Sequence, residues 1–149
     1  MKKITLLIAL FFVLQVISAQ NVVDLTNSKS VERTHILNAL RGTIKTELKQ
    51  DVKFIVGHLK VKGTHAFLKG ELKTTDGKDI DFSKTIYKEA VEEDAFDGGT
   101  ISALLKKVKG KWQYIVHVIG PTDLPWGCWW KDYKAPKQIF DYTEEHCDW

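Results

Sequence analysis

The sequence predicts an α+β domain. One long N-terminal helix packs across a four-stranded antiparallel sheet of two hairpins, with a short excursion helix between them and an irregular aromatic tail. Three observations carry this. Ile36, Leu37, Leu40, Ile44 and Leu48 recur at helical spacing. Lys62-Gly63 and Lys109-Gly110 each separate two strand-like runs, as hairpin turns do. From Gly120 onward the chain holds all three prolines and all but one of the five tryptophans, yet shows no period.

Residues 1–19 read as a signal peptide. Lys2 and Lys3 precede an apolar run over 4–17, and Ser18-Ala19 supplies small residues at a cleavage point before Gln20. The run is short for a membrane span, and no cysteine follows it to take a lipid. The expectation is a secreted or periplasmic protein, off the membrane after cleavage, with a single domain over 20–149. Losing Lys2 and Lys3 takes two charges off the formal +3, and the remaining lysines are dispersed. That balance gives no electrostatic footprint for nucleic acid.

Residues 20–29 are polar and read as an arm. Ser30 caps a helix over 31–50, with Glu32 well placed in its first turn against the dipole. Gly42 inside it costs about 1 kcal/mol relative to Ala and points to a close approach to the sheet. Strands follow at 52–61 and 64–73, then a turn at Thr75-Asp76-Gly77-Lys78. Ile86, Tyr87, Ala90 and Val91 suggest a short helix within 83–97, ahead of strands at 101–108 and 111–119. Regular pairing puts Ile55, Leu59, Val61, Ala66, Leu68 and Leu72 on the core face with Ile101, Ala103, Leu105, Trp112, Tyr114, Val116 and Val118. The opposite face is mixed: Val56, His58, Lys60, His65, Phe67 and Lys69 with Ser102, Leu104, Ile115, His117 and Ile119. A bulge at either turn shifts these sets.

Cys128 and Cys147 are the only cysteines, and in an exported chain a structural disulfide between them is the default. Chemistry has three candidate places. His58, His65 and His117 on the mixed face would need to converge to bind a metal or move a proton, and no register-matched carboxylate orients them. Asp123 lies between Pro121 and Pro125 beside Trp126, where the loop either lines a pocket or, as favoured here, seals the helix–sheet core while the carboxylate accepts backbone N–H groups. The aromatic tail, with Trp126, Trp129, Trp130, Tyr133, Phe140, Tyr142 and Trp149, suits either a ligand platform or docking of an irregular segment. Glu92, Glu93, Asp94 and Asp97 read as a solvated helix end. There is no phosphate loop, nucleophile elbow, zinc-protease helix or calcium loop, so no cofactor is expected.

The run from Arg33 to Arg41, Phe54-x-Val56-x-x-Leu59-x-Val61, Ala66-Phe67, Asp97-Gly98-Gly99, Leu104-Leu105-Lys106-Lys107, Trp112 and Ile119-Gly120-Pro121-Thr122-Asp123-Leu124-Pro125-Trp126 together resemble a group of small secreted or periplasmic bacterial proteins of unassigned function. The resemblance implies export and imports no catalytic residue. Ser18-Ala19-Gln20 is similar to signal-peptide junctions of Bacteroidetes-type bacteria. At fold level, a helix before a four-stranded meander resembles cystatin-like and nuclear-transport-factor-2-like domains. Pro125-Trp126 follows the last strand, whereas cystatins carry such a pair between their last two, and the Gln-x-Val-x-Gly hairpin is missing. Fold likeness alone assigns no function. The expectation is therefore a small exported binding domain for a protein or small-molecule partner. Its rivals are a cone-shaped helix–sheet enzyme using Asp123 or His117 as base, and an inhibitor or immunity-type protein.

Overall fold

The computed structural model describes residues 20–147; residues 1–19, where a signal peptide is expected, and 148–149, which include Trp149, lie outside the described residues. Helix α1 runs Val31–Leu48. It begins where expected because the Ser30 hydroxyl accepts the Arg33 N–H at 3.2 Å. Its buried stripe is Ile36, Leu37, Leu40, Ile44 and Leu48, the set its spacing marks. Glu32 does more than face the dipole. It accepts from Lys107 Nζ at 2.5 Å and Trp112 Nε1 at 2.9 Å, tying the start of α1 to the second hairpin. Gly42 does not meet the sheet: nothing lies within 4 Å of where a Cβ would stand. It is a tolerated glycine on the exposed side.

The sheet has five antiparallel strands in sequence order: β1 Val23–Asp24, β2 Val52–Lys62, β3 His65–Thr74, β4 Thr100–Val108 and β5 Lys111–Ile119. β1 corrects the expected four-stranded sheet. The arm pairs Val23 with Val61 and Asp24 with Lys60, and buries Leu25. A two-residue strand has no period to detect.

Both hairpins turn where expected, but each carries a bulge within a strand, not at its turn. One lies between Val56 and His58, the other in β5 opposite Leu104 and Leu105. An extra residue exchanges the two faces on one side of it. Val52 and Phe54 therefore join the helix-side core, and Ile55 turns out to solvent. In β5, Ile119 enters the helix-side core, whereas Val116 and Val118 pack on the other cluster and Tyr114 is exposed.

The excursion is less helical than its pattern suggests. It has a 3-10 turn at Phe82–Lys84 and a five-residue α2, Lys88–Glu92. Phe82, Tyr87 and Phe96 stack on one another (Phe82–Phe96 4.7 Å, Tyr87–Phe96 5.0 Å) and pack on the helix-side core.

The tail forms a second core on the far face of the sheet. A 3-10 turn at Pro125–Cys128, α3 at Trp129–Asp132 and a 3-10 turn at Lys137–Ile139 bring Trp126, Trp129, Ile139 and Phe140 onto Phe67 and Leu104. Trp126 is 3% exposed, as expected, but it does not seal the helix–sheet core; it belongs to this second cluster. Cys128 and Cys147 form a disulfide, Sγ–Sγ 2.12 Å, that closes the tail on itself. Among the described residues no helix is long and apolar enough to cross a membrane.

Candidate functional site

β4 begins and β5 ends at the same edge of the molecule, and the chain there is tightly held. Asp97 N–H donates to the Gly120 carbonyl at 2.9 Å, and Gly120 N–H donates to that of Thr100 at 2.8 Å. Gly120 is required twice over. Its φ is +61°, and a Cβ would lie 2.3 Å from the Phe96 ring. Beyond it, Pro121 and Pro125 carry the chain across the far face of the sheet, where the tail covers only part of the surface.

The uncovered part is a pocket of about 320 Å³ lined by Lys69, Asp97, Thr100, Ser102, the loop from Pro121 to Leu124, and Trp126. Lys69 and Ser102 face each other across β3 and β4. Ser102 is 1% exposed and its hydroxyl bonds no described residue, but its oxygen is not among the fully buried side-chain atoms left without a partner, so solvent in the pocket reaches it. Lys69 is already committed: its ammonium pairs with Asp141 at 2.9 Å and lies 4.6 Å from the Trp126 ring centre. Asp141 also accepts the Trp126 indole N–H at 3.0 Å, so these three residues lock one another. Asp97 and Asp123 are exposed carboxylates with no cation beside them among the described residues. Asp123 thus lines a pocket and does not accept the backbone bonds expected of its turn.

The candidate histidines do not converge. His58 faces the tail, where its Nε2 meets the Ile139 carbonyl at 2.7 Å and its ring touches Phe67 edge-on. His65 shares that face. Burial, with Lys106 nearby, pushes its imidazole below the ordinary range, and its Nε2 is buried without a partner. His117 lies on the opposite, helix-side face because of the β5 bulge. Among the described residues no group of three His, Cys, Asp or Glu is placed to hold a metal ion. Trp129 is buried in the second core, and Trp130 donates its indole N–H to Glu144 O at 3.3 Å beneath Lys137. These two tryptophans dock the tail.

His117 instead joins a chain of polar groups that its sequence neighbours do not reveal. Its Nε2 lies 2.6 Å from Glu47 Oε2, and the Tyr87 hydroxyl donates to Glu47 Oε1. Burial, reinforced by the Glu47 carboxylate, drives the Tyr87 phenol far above its ordinary range. Glu47 is on α1, Tyr87 on the excursion and His117 on β5, so the chain clasps three elements. With the carboxylate accepting from Nε2, the other ring nitrogen, Nδ1, is buried without a partner among the described residues.

Lys69, Asp97, Ser102, Asp141, Glu47 and Tyr87 escape a reading by motif. The strand register already sets Lys69 and Ser102 on the mixed face. Asp97-Gly98-Gly99 and Gly120-Pro121 then mark where both neighbouring strands leave the sheet at that level. No protein-family model matches the chain, and no curated protein or solved structure does so either.

Proposed function

We propose that the chain is a small exported binding domain that takes a small molecule in the pocket between Lys69, Asp97, Ser102, Asp123 and Trp126. The observation that carries this reading is Ser102, a residue 1% exposed that lines the pocket and whose hydroxyl bonds no described residue, which leaves its oxygen to whatever enters the pocket. A polar group in that position is stabilised when something from outside bonds it. The pocket volume of about 320 Å³ falls within the range of ligand sites, and its walls include Pro121 and a locked Trp126. Export is supported by the leader-like residues 1–19 and by the disulfide.

An enzyme reading draws on the Glu47–His117 contact at 2.6 Å, a carboxylate–imidazole pair of the kind used for proton transfer. Its geometry argues for a clasp: the free ring nitrogen is buried, and His117 lines none of the five described pockets.

A fragment screen followed by amide chemical shifts tests the binding reading. The expected outcome is saturable shifts grouped at residues 69, 97–102 and 120–126. Shifts grouped around Glu47, Tyr87 and His117 would overturn it.

A further inference from the structure

The charges around the pocket do not cancel. Lys69 contributes the one ammonium among its lining residues, and Asp141, which lies outside the lining, already neutralises it at 2.9 Å. Asp97 leads into β4 and Asp123 follows β5, both line the pocket, and neither has a cation partner among the described residues. Carboxylates facing a shared hollow repel, and a cation between them relieves that repulsion. The Ser102 hydroxyl has two acceptor lone pairs and no protein donor directed at it. The acceptors thus outnumber the donors that remain free, and the apolar parts of Pro121, Leu124 and Trp126 flank them.

On that pattern, and resting on the binding reading above, we infer that the ligand is a small organic amine bound as its ammonium. Its N–H groups go to Asp97, Asp123 and the Ser102 oxygen, and its carbon chain lies along Leu124 and Trp126. An anion meets two carboxylates with the Lys69 charge already spent. A neutral alcohol satisfies Ser102 but leaves both carboxylates as they are. Charge-assisted hydrogen bonds are about twice as strong as neutral ones, and this difference selects the amine.

The test is an amide-shift titration of the disulfide-bonded mature chain at neutral pH and low salt, with n-butylammonium, n-butanol and butyrate as matched probes. Butylammonium is expected to give saturable shifts at residues 97–102 and 120–126, stronger than either other probe, and to weaken as sodium chloride is raised. Asp97→Asn and Asp123→Asn, both at exposed positions and checked for unchanged spectra elsewhere, should each weaken it by about tenfold. Ser102→Ala should weaken it by about threefold to tenfold. If butanol or butyrate shifts the same residues as strongly, the amine assignment is overturned while the binding reading stands. If butylammonium binds equally well to both Asn variants, the assignment falls in the same way. If no probe shifts these residues, both fall.

Discussion

The two faces of the sheet are both covered, but by opposite means. The helix side is mainly aliphatic: Ile36, Leu40, Ile44, Leu59, Leu68, Leu72 and Leu105 interlock between a regular helix and long strands, with Phe54, Phe82 and Trp112 at its margins. Their backbone polar groups are answered within those elements, so the side chains need only fill space. The tail side is aromatic: Trp126, Trp129 and Phe140 gather on Phe67, with ring centres between 4.7 and 6.4 Å. Here the covering segment has almost no regular structure. It is held by large rings, by His58 on Ile139 O, by Asp141 between Lys69 and Trp126, and by a disulfide. Both coverings leave hollows at their margins, one of about 350 Å³ beside His35, Ala39 and Trp112 on the helix side and one of about 320 Å³ beside Trp126 on the tail side. The difference teaches that what sets the tail-side hollow apart is its lining, where Lys69, Asp97, Ser102 and Asp123 meet.

Leu40→Ala and Trp126→Ala test this contrast most strongly. Each should cost about 3–4 kcal/mol by the size of the buried group removed. They should differ in what lets go. By native-state hydrogen exchange, Leu40→Ala should lower protection throughout, and Trp126→Ala should lower it chiefly over 120–147 while α1 and β2 to β4 keep theirs. Equal losses everywhere from Trp126→Ala would make the two cores one cooperative unit. Opening the disulfide by Cys128→Ser with Cys147→Ser should cost about 3 kcal/mol on the chain-entropy argument. That loss, too, should be confined to the tail, as measured by urea unfolding alongside exchange.

A smaller effect belongs to the helix side. Glu47→Ala strands the His117 Nε2–H and the Tyr87 hydroxyl, and should cost about 2 kcal/mol in urea unfolding. Gly42→Ala should stabilise by about 1 kcal/mol, because the added methyl meets open space in a helix interior; a loss would show a contact made only in solution.

The smallest effect is electrostatic. Lys107, with a lesser part from Trp112, holds the Glu32 carboxyl below its ordinary value of 4.5. A depressed carboxyl contributes stability that is present above that value and lost as pH falls through the folded one. Glu32→Gln should therefore lower stability at pH 7 and leave it nearly unchanged near pH 2, read as a flatter acid limb.

Much of the helix side was legible because it repeats. The Ser30 cap, the stripe from Ile36 to Leu48 and the two Lys-Gly turns each depend on residues close in sequence. The faces of β2 and β5 were legible only up to their bulges. Gly57 in β2 gives a hint of one, but nothing around Ile115 announces the other. That single residue moves His117 from the mixed face to Glu47, and so dissolves the three-histidine grouping. Trp126 is buried as expected, and Asp123 lines a hollow in place of the expected backbone-bonded seal. Their partners were not visible, since Lys69, Ser102 and Asp141 lie far from them along the chain.

By itself the sequence determined the α+β class, the order of the major elements, the pairing available to the only two cysteines, and which helix residues are buried. These follow from local periodicity, turn chemistry and composition, which act over a few residues. Tertiary structure alone decided that the tail builds a second core on the far side, that β1 adds a fifth strand, and that His117 meets Glu47. It also decided that two carboxylates and the hydroxyl of a buried serine share one hollow. Those outcomes depend on bulge position and on packing between residues distant in sequence, where one inserted residue reverses a face and no local pattern records it.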